Sequence, residues 1–255
     1  MRTTLFLSLF LLSVFSLFAI SDSPKDNKEM LDVLKESAMT VVDKNQKLFN
    51  TNKDGSITNK GIDKEWFAKQ SYAQFKKMIA GEGISMKDLV GSTDQQQLAR
   101  VLTGYLAAAR IVIARGQDKI NTDGDGSNNP KNFYPAVFGR LVADEFLSRT
   151  NIKIKQTTSG RGMGARNSHY NSPDAWEQKA LAKIEAPGWV IKQGFGENVV
   201  EDGKKLYRFI MPLEIKTACL GCHGEPRGQK DISGHTKEGY KLHEVRGGIS
   251  VTLAQ

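Results

Sequence analysis

The feature that most limits how this chain can fold is a change of hydrophobic period near residue 150. Before it, apolar side chains recur at steps of three and four, the spacing of one face of a helix. Between Met30 and Phe49 they fall at Leu31, Leu34, Ala38, Val41 and Leu48, with a break at Asn45. A second stripe runs through Leu98, Val101, Leu102, Tyr105, Ala109, Val112 and Ile113, and a third, from Phe133 to Ser148, through Val137, Phe138, Leu141, Val142 and Phe146. Beyond it the period is two. "NIKIKQTT" alternates at Ile152 and Ile154, "GWVIKQ" is short and strand-like, "KKLYRFIMPLEI" puts Tyr207, Phe209, Met211, Leu213 and Ile215 on one face, and "VRGGISVTL" does the same with Val245, Gly247, Ile249, Val251 and Leu253. Helices followed by four half-buried strands predict an α+β chain with a mostly antiparallel sheet. The expected layout is a helical segment over 22–130 and a sheet domain over 131–255.

The first two helices end alike. "VVDKNQKLFNTNKDGS" from Val41 is echoed by "VIARGQDKINTDGDGS" from Val112, with Gln46 and Gln117, Asn50 and Asn121, Asp54 and Asp125, and Gly55 and Gly126 identical. The echo points to a duplicated helix-turn unit. Asn50, Asn52, Asp54, Gly55, Ser56 and Ile57 follow the first half of an EF-hand loop, as do Asn121, Asp123, Asp125 and Gly126. The bidentate glutamate that closes such a loop is replaced by Gly61 or Asn132, so an ordinary Asn/Asp/Gly turn is favoured over a calcium site.

The opening "MRTTLFLSLFLLSVFSLFAIS" has one early cation, Arg2, an apolar run from Leu5 to Ile20, and a small-x-small close at Ala19-Ile20-Ser21. That grammar predicts a cleaved export signal over residues 1–21 and a periplasmic or otherwise exported product with no membrane segment after cleavage. The formal net charge of +8 favours acidic partners. No dense basic run interleaved with aromatics is present, which argues against nucleic acid.

Both cysteines of the chain lie in "CLGCH", residues 219–223. C-x-x-C-H is the pattern of covalent haem c attachment. Two thiols three positions apart reach the two vinyl groups on one porphyrin edge, and the adjacent histidine meets the iron. Cys219 and Cys222 would then be thioether anchors for one haem and His223 the proximal iron ligand. Two other readings compete. A disulfide between the cysteines would suit an oxidising compartment, but no thioredoxin-like context surrounds them. A zinc site would need His235 and His243, whose separation is wider than usual zinc spacing.

Several further stretches carry a resemblance: "KNFYPAVFGRLVADEF", "IKIKQTT", "RNSHYNSPDAWE", "MPLEIKTACLGCHG" and "GYKLHEVRGGISV". In this order the chain, from Ala109 to Thr252, resembles the periplasmic haem c sensor-type domain found in bacterial histidine kinases and in stand-alone exported proteins. The resemblance implies a PAS-like sheet holding the haem. It also implies that Arg166, Asn167, Asn171, Asp174, Trp176 and Arg246 sit at signature positions. There Arg166, Asn167, Trp176 and Arg246 would bind the cofactor, by bracing the pocket or pairing with haem propionates.

One cyanobacterial member of that family takes a cysteine as sixth iron ligand. This chain has no third cysteine, and the corresponding position falls near Pro135 or Ala136. Two kinds of distal site follow. One is open or weakly held beneath apolar side chains such as Val137 and Phe138, and receptive to NO or CO. The other is closed by a replacement ligand, with His243 and His169 foremost, then His235 and Met163. An open site fits a redox- or gas-responsive module that docks to a signalling protein. A His/His or His/Met pair fits an electron-transfer cytochrome serving a redox partner. A peroxidase would need a distal base and an arginine, parts for which His169 and Arg140 could be cast, but no spacing demands turnover and no catalytic residue is assigned. The striped helices leave room for a homodimer.

Overall fold

The computed structural model describes residues 39–45, 62–81, 104–116, 135–191, 193–231 and 233–254. The stretch read as an export signal and the two Asn/Asp/Gly segments read as turns lie outside them. Among the described residues four helical pieces come first: α1 (Met39–Lys44), α2 (Lys64–Gly81), α3 (residues 104–116) and α4 (Pro135–Thr150). After them come β1 (Lys153–Thr157), α5 (Ser168–Asn171), α6 (Ala175–Ile184), β2 (Phe195–Glu201), β3 (Lys204–Glu214), a one-turn helix α7 (Leu220–His223) and β4 (Val245–Ala254). The chain is α+β. Its four strands form one antiparallel sheet in the order β1-β4-β3-β2.

Each face of the sheet has its own core. On one, Tyr207, Phe209 and Met211 of β3 and Ile249, Val251 and Leu253 of β4 pack against Val41, Val42, Phe67, Ala109, Ile113, Phe138, Val142 and Phe146. This cluster joins the helical segment to the sheet across residue 130. Phe67, Phe138 and Phe146 are fully buried, each stabilising by roughly 1.5–3 kcal/mol relative to an exposed ring. The helical faces read from the sequence are the buried ones here: Tyr105, Ala109, Val112 and Ile113 on α3, and Phe138, Val142 and Phe146 on α4. Helix α2 was not apparent from the periodicity. It buries Phe67, Ser71 and Phe75 at steps of four, and Asp63 caps it by accepting the Trp66 N–H at 2.7 Å.

On the other face, Ile210 packs against Trp176, Ala180, Leu181 and Ile184 of α6. That helix starts with a reciprocal capping box: Asp174 accepts the Glu177 N–H at 2.8 Å and the Glu177 carboxylate accepts the Asp174 N–H at 2.9 Å. Arg208 reaches over from β3 to Asp174 at 2.7 Å, and Lys155 from β1 to Glu177 at 2.7 Å. These contacts fix α6 on the sheet.

Two expectations for the strands change. The described residues of "GWVIKQ" form no strand: Trp189 donates its backbone N–H to Ala186 and its indole N–H to Gln193, at 3.2 and 2.7 Å. The second strand is instead Phe195–Glu201, an edge strand with little apolar alternation, paired to β3 through the Asp202-Gly203 hairpin turn (φ 50° and 73°). Val245 also leaves the face shared by Ile249, Val251 and Leu253 and packs toward the α6 side. Pro212 pairs with Gly248 but Glu214 pairs with Val245, so Arg246 and Gly247 together stand opposite Leu213. This β-bulge inserts one residue and reverses the alternation beyond it. Gly247 has φ 128°, and a Cβ there would lie 2.3 Å from the Thr157 carbonyl oxygen, so only glycine fits.

Candidate functional site

The CLGCH turn lies on an excursion, residues 215–244, between the two central strands. Its neck is closed by the Ile215 N–H donating to Glu244 O at 2.8 Å and the His243 N–H donating to Ile215 O at 2.9 Å. Strand β3 runs out through Ile215 into a 3-10 turn (Thr217–Cys219) that continues as α7. One helical turn therefore separates Cys219 from Cys222, placing both on the same side. Both thiols are free and partly exposed.

His223 ends α7 with its imidazole mostly buried, and Nδ1 lies 2.9 Å from Glu238 Oε2. Glu238 is 2 % exposed and holds two arginines as well. Its Oε1 accepts from Arg166 Nε at 3.1 Å and from Arg246 Nη2 at 2.8 Å, and its Oε2 also accepts from Arg166 Nη2 at 3.0 Å. Arg166 extends further, donating to Asp231 Oδ2 at 2.7 Å and to the carbonyl of Cys222 at 2.6 Å. Asp231 in turn accepts the Ser233 hydroxyl at 2.7 Å and the Ser233 N–H at 2.8 Å. Two guanidinium cations thus face two carboxylate anions, and the cluster is charge-balanced without the histidine.

The electrostatics follow from this arrangement. Burial pulls in the opposite direction, but the hydrogen bonds from His223, Arg246 and Arg166 hold Glu238 far below the usual carboxylate range. Against the same opposition, the hydrogen bonds of Ser233 and Arg166 bring Asp231 down to about 2. Burial, reinforced by the charges of Arg246 and Arg166, lowers His223 despite its bond to Glu238, so the ring is neutral at pH 7. Burial and the Asp231 charge raise the Cys222 thiol, a setting unlike that of a reactive redox dithiol. An ionised carboxylate can only accept, so the neutral ring carries its hydrogen on Nδ1 and keeps its lone pair on Nε2.

Of the residues predicted for the site, Cys219, Cys222, His223, Arg166 and Arg246 come together, Arg166 and Arg246 as braces. The bulge aims Arg246 here, and its backbone carbonyl accepts the Thr158 hydroxyl at 2.7 Å. Arg166 spends Nε, Nη2 and one bond of Nη1 on protein acceptors, and so acts as a brace of the turn. Arg246 Nε and the Tyr240 hydroxyl are buried with no hydrogen-bond partner among the described residues; acceptors on a carboxylate-bearing ligand would suit them.

Trp176 is elsewhere. It belongs to the α6 core, donates to Glu197 at 2.8 Å, and lies under Arg208 at 4.6 Å from ring centroid to guanidinium. Asn167 is exposed at the start of α5 and makes no side-chain cap bond. His169 lies edge-on to Tyr170, which Arg140 covers at 4.4 Å, in a cleft of about 250 Å³ between α4, β1 and α5. Phe138 is sealed in the helical core against Phe67. Met163 is exposed. His243 is 71 % exposed and pairs with Glu214 at 2.5 Å. Its φ of 68° is in the left-handed region that favours glycine. Among the described residues no three His, Cys, Asp or Glu side chains group to hold a metal. No described helix is long and apolar enough to cross a membrane.

Sequence reasoning missed Glu238 and Asp231. Neither lies in a motif, and the path of the excursion brings Glu238 to His223 and Asp231 to Arg166.

A sheet protein with a thiol-imidazole turn held between its two central strands is the class that emerges. The chain belongs to the Tll0287-like family, whose profile matches residues 68–254 and which is named for a cyanobacterial haem protein. The resemblance read from Ala109 to Thr252 falls inside that span. No curated protein and no solved structure is significantly similar to the chain.

Proposed function

We propose that this is an exported, PAS-like, monohaem c-type protein. Cys219 and Cys222 anchor the porphyrin edge by thioether bonds, and Nε2 of His223 takes the iron. The observation that carries this reading is the His223–Glu238 bond. It commits Nδ1 and leaves Nε2 as the free donor atom, next to two free thiols on one helical turn. A bound haem would supply a one-electron iron couple and an axial position for a small ligand. The protein's residues hold the imidazole neutral and oriented, tie the attachment turn to Arg166, and close the excursion at its neck.

The distal position is open or weakly held, and the module responds to redox state or to a diatomic gas such as NO or CO. This is favoured by where the replacement ligands sit: His243 is engaged with Glu214 at the surface, and Met163 is exposed. Its partner is an acidic redox or signalling protein of the periplasm, met by the positive chain. The test is expression with a full cytochrome-maturation system, then mass spectrometry and visible and electron-spin-resonance spectra. Covalent haem and high-spin iron that takes up NO or CO is the expected result. Unmodified or bridged thiols would overturn haem attachment. Fully low-spin iron indifferent to both gases would replace the open site with a His/His or His/Met electron-transfer cytochrome, and His169→Ala and His243→Gly would then identify the ligand.

A further inference from the structure

The geometry points to Glu238 as the positioning residue for the proximal histidine: it fixes His223 as the Nδ1–H tautomer and sets how strongly Nε2 donates to a metal. This rests on the haem c reading above. Three observations carry it. First, the carboxylate is anchored on both oxygens, by Arg166 at 3.1 and 3.0 Å and by Arg246 at 2.8 Å, while His223 takes a remaining lone pair of Oε2 at 2.9 Å. It cannot rotate away without depriving Arg246 of its carboxylate and leaving Arg166 with Asp231 alone, and each guanidinium is only 18 % exposed. Second, the fold spends a device on this contact, because the bulge opposite Leu213 is what delivers Arg246 to Glu238. Third, Tyr240 donates its backbone N–H to the His223 carbonyl at 2.9 Å, so the segment bearing Glu238 is bound to the backbone of the histidine as well as to its ring. Ring and carboxylate are therefore held in register from both ends.

A carboxylate on Nδ1–H makes an imidazole a stronger donor, which favours the ferric state. The two arginines draw on the same oxygens and moderate the effect. Glu238 thus acts through His223 rather than on any ligand.

The test uses haem-loaded full-length protein, with haem content measured first. Reduction potentials are then compared for the parent, Glu238→Gln and Glu238→Asp. Glu238→Gln removes the charge and the strong acceptor, and the potential should rise by roughly a tenfold change in the ferrous-to-ferric ratio, about 59 mV for one electron. Glu238→Asp keeps the charge but withdraws the oxygens by one methylene, so its potential should rise too, by less. An aspartate variant identical to the parent, whether or not the glutamine variant shifts, would overturn the inference, because only net charge or folding would then be at work. Should Glu238→Gln fail to accumulate, the aspartate variant decides alone. Parent protein without covalent haem would instead overturn the underlying haem reading, and the haem assay separates that failure from this one.

Discussion

Arg166 is the strut between the CLGCH turn and the rest of the excursion, and its removal gives a calculable loss. In Arg166→Met the volume is roughly kept, but the ion pairs to Asp231 (0 % side-chain exposure) and Glu238 (2 %) and the bond to the Cys222 carbonyl disappear. Breaking a buried pair by removing one partner costs about 3–5 kcal/mol. Asp231 keeps its Ser233 donors and Glu238 keeps Arg246 and His223, which places the loss near the lower end, about 3 kcal/mol. With a urea m-value of about 2 kcal/mol/M, the unfolding midpoint should fall by roughly 1.5 M. Circular dichroism against urea reads this directly. Arg166→Lys, which keeps the charge but cannot span both carboxylates, should fall in between. Combined with Asp231→Asn, the loss should be less than the sum of the two single losses by about 1 kcal/mol or more. A midpoint shift below about 0.5 M, or strictly additive single effects, would refute the strut.

Other consequences follow from the same contacts. Asp231, at about 2, and Glu238, likewise held below the carboxylate range, bind fewer protons folded than unfolded, so their stabilisation is complete above the ordinary carboxylate range and is lost as pH falls through it; His223, also lowered, adds loss in the same direction from about pH 6.5 downward. Melting temperature should therefore fall steadily from pH 7 to pH 3, and a flat profile would contradict this. Gly247→Ala should destabilise by about 3 kcal/mol, since it combines a left-sided φ with a Cβ contact against the Thr157 carbonyl; thermal melts measure it, and a neutral result would remove the bulge argument. Trp176→Phe should cost about 1 kcal/mol for the lost bond to Glu197 while leaving the absorption spectrum of the loaded protein unchanged; a spectral shift would return Trp176 to the cofactor site.

What the sequence disclosed depended on how local the signal was. The faces of α3, α4 and β3 are legible because one periodic stripe meets one core. Helix α6 carried its announcement in Asp174 and Glu177, a capping box three residues apart, yet its short apolar stripe hid among charges. Strand β2 was harder. As an edge strand it needs no strict alternation, and Gly196, Glu197 and Asn198 are poor strand formers; the Asp-Gly pair at its end was the usable clue. The bulge was invisible, since Gly247 fits an ordinary alternation until the register on Glu214 is known. At the site, the cysteines and His223 are read from five consecutive letters, whereas Glu238 and Asp231 are supplied by chain folding across Arg166 and have no signature of their own.

The excursion that bears CLGCH leaves and rejoins the sheet on facing rungs, Glu214 opposite Val245. A flap hinged in that way can be unfurled and laid back without parting the strands on either side. On the haem c reading proposed above, an attachment enzyme would reach both sulfur atoms by lifting the flap off Arg166, with the sheet left in place.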